Sequence, residues 1–146
     1  MIAEALALVA AGELNKLSLR ELARRLGVSY AAPYHHFQSK AELMAAIAAT
    51  GFERMGAEMD RQQGRLKTDA TLEDRLTRLG VGYVVFATEH PEHYAVMFDG
   101  TLAELADEGV HVSEAEACFG RLLQAVAEVL SCAPMSRDTY FRALVC

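Results

Sequence analysis

Apolar positions recur at helical spacing along almost the whole chain, so the pattern predicts an all-α protein. A first helix spans 2–11 and closes at Gly12. Ser18-Leu19-Arg20-Glu21 reads as a capping box, with Ser18 accepting from the Glu21 amide and Glu21 reaching back. It opens a helix to about Leu26, with Leu19, Leu22, Ala23 and Leu26 on one stripe. Gly27 stops that helix, and Ser29 caps a short third one over 29–36. Pro33 falls inside it, which loses one backbone bond and disfavours a helical Ala32. Ser39-Lys40-Ala41-Glu42 is a second capping box, and a long helix follows with Leu43, Ile47, Phe52 and Met55 inward.

Residues 62–70 are polar and read as a connection or a frayed helix end. Thr71 caps a helix carrying Leu72, Leu76, Leu79, Tyr83 and Phe86. Pro91 starts another helix at its first turn. Asp99-Gly100 is a turn, 101–106 one short helix, and 109–112 a loop. Ser113 to Glu116 is a third capping box, and its helix runs to about Leu130. Pro134 breaks it, and a last helix occupies 137–146.

Two short helices joined by a tight glycine turn suit DNA for a geometric reason. The first braces across the backbone while the second presents its N-terminal residues to base edges in the major groove. The spacing 19–26, Gly27, 29–36 matches that plan.

Charge first argues against a nucleic-acid partner, since the net charge is −6. Its distribution changes the picture: residues 1–65 balance to +1 and residues 66–146 to −7. Within 15–40 the bases are Lys16, Arg20, Arg24, Arg25 and Lys40, and Glu21 is the only acid. A basic island on an acidic chain is the footprint of a DNA-reading head on a non-DNA body, although a solvated charged face gives the same tally. The three cysteines, Cys118, Cys132 and Cys146, are odd in number and widely spaced, so a reducing, cytoplasmic setting is expected. No apolar run approaches 18 residues, so no membrane partner is expected.

The run Leu17-Ser18-Leu19-Arg20-Glu21-Leu22-Ala23-Arg24-Arg25-Leu26-Gly27-Val28-Ser29 resembles the TetR/AcrR regulators. So does Ala31-Ala32-Pro33-Tyr34-His35-His36-Phe37-Gln38-Ser39-Lys40-Ala41-Glu42-Leu43. The resemblance covers residues 2–56 and continues more weakly through His90-Pro91-Glu92-His93-Tyr94-Ala95-Val96-Met97-Phe98. It implies a three-helix DNA-binding head over 1–44, joined by a long fourth helix to a helical ligand-binding and dimerisation body over 45–146. It also implies roles. Arg20 contacts base or phosphate, Ser29, Tyr30, Ala31 and Ala32 form the exposed reading face, and Tyr34, His36 and Lys40 contact phosphate. Ser18 and His35 complete the DNA-facing set. The face Tyr30-Ala31-Ala32 is poor in hydrogen-bond donors, so readout rests on Arg20, Tyr30, thymine-methyl contact or DNA shape. Family members carry a basic lead-in and further helices at the far end, so the chain reads as trimmed at both ends.

The resemblance further implies a pocket for a small effector, apolar or aromatic, lined by Tyr83, Phe86, His90, Tyr94, Met97, Phe98, Phe119 and Leu122. Taken singly, each of these reads first as core. A dimer seam is expected at Leu123, Val126, Leu130, Phe141 and Val145, because the helix from 114 is apolar on more than one side. His90 and His93 stand three apart, but Pro91 lies between them and no third ligand is obvious, so no metal is expected. Cys118 sits among apolar neighbours and reads as packing rather than as a redox sensor. No Ser-His-Asp set, phosphate loop or carboxylate pair suggests an enzyme, and no cofactor is expected. The expected function is that of a ligand-responsive repressor that binds an inverted-repeat, double-stranded DNA operator as a homodimer. The alternative is a ligand-binding and dimerisation module with a vestigial DNA head.

Overall fold

A computed structural model describes residues 1–98, 105–107 and 112–129. The described residues form helices and connections with no strand among them, as the periodicity predicts. Among the described residues these α-helices follow in order: α1 (Ile2–Ala10), α2 (Leu19–Leu26), α3 (Lys40–Gln63), α4 (Leu72–Glu89), α5 (Pro91–Phe98) and α6 (Ser113–Val129), and residues 105–107 are also helical. Two short 3-10 turns, Leu14–Lys16 and Ala32–His35, flank α2. The turn expected at Asp99-Gly100, most of the segments expected over 101–112, and the final helix lie outside the described residues.

The chain divides into two compact units, one built from 1–51 with 90–112 and the other from 52–89 with 113–146. In the first, α1 packs on α5 and on α2. Its core is Ala5 and Leu8 of α1, Leu19, Leu22 and Ala23 of α2, Leu43, Met44, Ile47 and Ala48 of α3, and Val96 and Met97 of α5. In the second, α4 packs on α6. Phe52, Met55 and Met59 of α3 lie buried there with Leu79, Phe86, Ala115 and Cys118. Phe52 meets Phe119 edge-on at 5.6 Å between ring centroids. All four inward residues predicted for the long helix are buried.

That helix runs further than its polar tail suggests, to Gln63. Gln62 is 3 % exposed, and its amide donates to Glu58 Oε1 at 2.7 Å, one turn back. A buried polar group with a partner four residues away keeps the helix intact where polarity alone reads as a break. Thr71 and Asp74 open α4 with a complete reciprocal cap. The Asp74 amide donates to the Thr71 hydroxyl at 3.1 Å, and the Thr71 amide donates to the Asp74 carboxylate at 3.0 Å. Those bonds hold the Asp74 carboxyl below its ordinary value.

Within the second unit, a Cβ added at Gly82 of α4 would lie 2.7 Å from the Met59 Cα and 2.9 Å from the Met59 nitrogen. Glycine is required there because the neighbour is backbone and cannot rotate away. Cys118 Sγ lies 4.0 Å from Met59 Sδ, and burial pushes its thiol up to about 11. Such a thiol carries almost no thiolate near neutrality, which agrees with the packing role read from its apolar neighbours.

Candidate DNA-contacting head

α2 begins as its sequence predicts. Ser18 adopts an extended N-cap conformation, and its hydroxyl accepts from the Glu21 amide at 3.1 Å. The other half of the expected box does not form. The Glu21 carboxylate turns outward instead, accepting from Arg24 Nη2 at 2.7 Å and from Arg25 Nε at 2.9 Å. Two guanidiniums outcompete one backbone amide, because charge-assisted bonds are the stronger kind. Hydrogen bonds from Arg24 and then Arg25 hold the Glu21 carboxyl near 2, so it stays ionised far below neutral pH.

α2 ends at Gly27, whose φ of +66° is the left-handed conformation that favours glycine. The next segment differs from the predicted helix over 29–36. It is a four-residue 3-10 turn, with bonds from Tyr34 to Ala31 and from His36 to Pro33. The physical reason is Pro33. It has no N–H to donate and it pushes the preceding residue away from α geometry, so the chain tightens rather than forming full α turns. Pro33 itself is fully buried and anchors the segment.

This placement turns the residues expected to face DNA outward. Ser29, Tyr30, Ala31, Tyr34, His35 and His36 are exposed, and Ala32 is half-buried. Tyr30 and Tyr34 are 55 % and 56 % exposed. The Arg20 guanidinium lies over the Tyr30 ring, 4.9 Å from its centroid. Lys16, Ser18, Arg20, Glu21, Arg24 and Tyr30 line a shallow open crevice beside it.

α3 starts at Lys40 behind a second cap. The Glu42 amide donates to the Ser39 hydroxyl at 3.1 Å, and the Gln38 amide donates to Glu42 Oε2 at 2.5 Å. Lys40 is exposed at that positive helix end, so the end and the ammonium together favour an anion.

The folded charge map differs from the linear one. Arg25 donates to Glu13 Oε2 at 2.9 Å and approaches Glu4 Oε1 at 3.7 Å. Lys16 pairs with Glu13 at 2.7 Å. Glu4 and Glu13 lie outside the window 15–40 yet fold onto Lys16 and Arg25, and Arg24 pairs with Glu21 inside it. Among the described residues, no carboxylate pairs with Arg20 or Lys40. The basic island thus reduces to two cations, Arg20 and Lys40, with no carboxylate partner among the described residues. Arg25 serves architecture, tying α1 and the first 3-10 turn to α2. Arg25→Met is expected to lower the melting temperature measurably while leaving DNA affinity nearly unchanged, and the loss should shrink at high salt.

Residues 1–47 match the family model described as bacterial regulatory proteins, tetR family, and residues 76–145 match the Tetracyclin repressor-like C-terminal domain. The chain belongs to the TetR family. It is a DNA-binding transcriptional regulator, and its head is the segment just described. Five solved chains resemble the regulator. One is a protein of unknown function from Rhodococcus sp. RHA1, at 23% identity and a TM-score of 0.57, covering 99% of this chain and 93% of that one. That likeness speaks to the fold alone. No curated protein matches the regulator.

The residues read as an effector lining divide between the two units. Tyr83, Phe86, Phe119 and Leu122 belong to the second, where Phe86 is buried and the others are half-buried. His90, Tyr94, Met97 and Phe98 belong to the first, where Met97 is buried and the Tyr94 and Phe98 rings stack 4.6 Å apart. Of the expected seam, Leu123 and Val126 are half-buried on α6, while Leu130, Phe141 and Val145 lie outside the described residues. One group escaped the sequence reading. Glu92, between the two histidines, brings its carboxylate to His93. No helix among the described residues is long and apolar enough to cross a membrane.

Proposed function

We propose that the regulator is a ligand-responsive repressor that binds an inverted-repeat operator as a homodimer. The observation that carries this reading is the head itself. Arg20 is stacked on an exposed Tyr30 beside the reading residues, and Lys40 stands at a helix start. The functional division is a head over 1–44 and a body over 45–146 that takes up an apolar or aromatic effector. Leu123 and Val126 of α6 supply the described part of the dimer seam. The setting is the cytoplasm, where the operator is.

Two heads related by a two-fold axis read half-sites about 34–36 Å apart, one DNA turn. Release follows from linkage: an effector that binds the DNA-incompetent head spacing more tightly weakens operator affinity by that same ratio. An effector with equal affinity for both spacings releases nothing.

Lys40→Ala tests the head. Lys40 is placed on phosphate, so the variant is expected to bind all sequences more weakly, with its order of preference unchanged. The slope of log affinity against log salt should fall by about 1 for each phosphate contact removed. The measurement is fluorescence anisotropy with selected and scrambled duplexes across a salt series. A changed sequence preference would contradict the phosphate role. Failure of the unsubstituted regulator to bind any selected duplex would favour a ligand module with a vestigial head.

A further inference from the structure

The start of α5 holds a side-chain cluster that the DNA-contacting head does not use. His90 is the N-cap residue, since its carbonyl accepts the first helical bond from the Tyr94 amide at 3.0 Å. His93 is the third helical residue. N-cap and N3 side chains stand face to face, which is why a capping box works. Here both are imidazoles, with ring centroids 5.9 Å apart and planes 79° apart. Glu92 completes the group, its Oε1 3.3 Å from His93 Nδ1. One ligand atom from each of the three lies within 4.8 Å of the other two.

From this geometry we infer that His90, Glu92 and His93 form a binding site for a divalent transition-metal cation of the zinc class. The donor set, two imidazoles and one carboxylate, is one that zinc accepts while keeping a fourth position open for water or a ligand. Hard cations such as magnesium and calcium take oxygen donors, so the two nitrogens argue against them. Zinc bond lengths of about 2.0–2.2 Å put neighbouring ligand atoms of a tetrahedron roughly 3.3–3.5 Å apart. The Glu92–His93 pair already stands at that spacing, which is longer than the ~2.7–2.9 Å of a charge-assisted hydrogen bond. His93 is 2 % exposed and fixed in the core, while His90 and Glu92 are half-buried. A rotation of those two more accessible side chains closes the remaining distance, and the same access admits the ion. The positive end of α5 opposes a cation. Glu92 offsets that charge, and Pro91 at the first helical position carries no amide hydrogen to add to it.

The site is independent of DNA binding, and its test uses the metal alone. The full chain is titrated with Zn²⁺ by calorimetry and with Co²⁺ by visible absorption. One saturable site per chain is expected, with a cobalt spectrum of nitrogen and oxygen ligation. His90→Ala and Glu92→Gln, both at half-buried positions, are each expected to weaken binding by at least ~10–100-fold, the loss that even an outer-shell partner causes. Circular dichroism confirms that each variant is folded. A paired His35→Ala/His36→Ala variant, which removes the other adjacent histidines, should bind as the unsubstituted chain does. Absence of a saturable site, affinity unaltered in both His90→Ala and Glu92→Gln, or a thiolate-dominated cobalt spectrum would each overturn the assignment.

Discussion

Gly82→Ala is expected to lower the melting temperature, whereas Gly80→Ala, two residues away on the same helix, is expected to raise it. Both changes remove a glycine from the interior of α4, and each alone should gain roughly 0.5–1 kcal/mol from helix propensity. At Gly80 nothing lies within 4 Å of the added Cβ, so that gain is realised. At Gly82 the new Cβ would sit 2.7 Å from the Met59 Cα and 3.2 Å from the Glu58 carbonyl carbon. Real Cβ atoms essentially never come as close as 2.7 Å, and both obstacles are main chain on α3. The backbones must separate, opening gaps along a packed face. Overpacking of this kind typically costs about 1–3 kcal/mol, and the rigid neighbour puts Gly82 at the upper end, leaving a net loss of about 2 kcal/mol. For a chain of this size that is a fall of roughly 4–8 °C by calorimetry. Equal shifts for the two variants would mean that α4 does not approach α3 as closely as described.

The second large effect falls on recognition. Arg20→Ala is expected to cost about 1–3 kcal/mol of operator affinity, roughly 5–150-fold, and to relax preference at one base pair in each half-site. Arginine reads guanine with two parallel donors, so its value depends on holding the guanidinium plane still. The Tyr30 ring beneath it does that. Tyr30→Phe keeps the ring and should retain most of the preference at that base pair, whereas Tyr30→Ala should approach the Arg20→Ala pattern. Lys40→Ala provides the contrast, with loss of affinity and no loss of preference. Selection of bound fragments from random duplexes with each variant reads both quantities. If Arg20→Ala weakens every sequence alike, Arg20 is a phosphate contact and base choice rests on the DNA's shape.

The features legible in the sequence were those set by local chemistry. Ser18 and Ser39 cap their helices as read, Gly27 takes the left-handed turn, and Leu43, Ile47, Phe52 and Met55 point inward. These depend on residues within a turn or two of one another, which the linear pattern contains. What escaped it depended on competition or on distance. Glu21 had three partners in reach, and the two arginines won over the amide. Glu4 and Glu13 lie outside the basic window and reach Arg25 only once α1 has folded back. Pro33 marks a conflict in the linear pattern, but whether it strains an α-helix or produces a 3-10 turn depends on the bonds its neighbours can still make. Gln62 looked like the start of a connection because its carboxylate partner, one turn back, is a tertiary-independent contact that polarity scales ignore. Glu92 carries no signal between two histidines, because its reach to His93 depends on a rotamer.

The tight turn at Ala32–His35 separates what holds the head together from the outward face proposed to read DNA. Structural weight falls on Pro33, Leu22 and Leu43, all buried, while Ser29, Tyr30 and Ala31 touch solvent. Substitutions at those three outward positions therefore meet almost no folding constraint. On the proposed reading of that face, selection can rewrite them one at a time and send the same regulator to a different operator, with a duplicate copy diverging in target long before it diverges in fold.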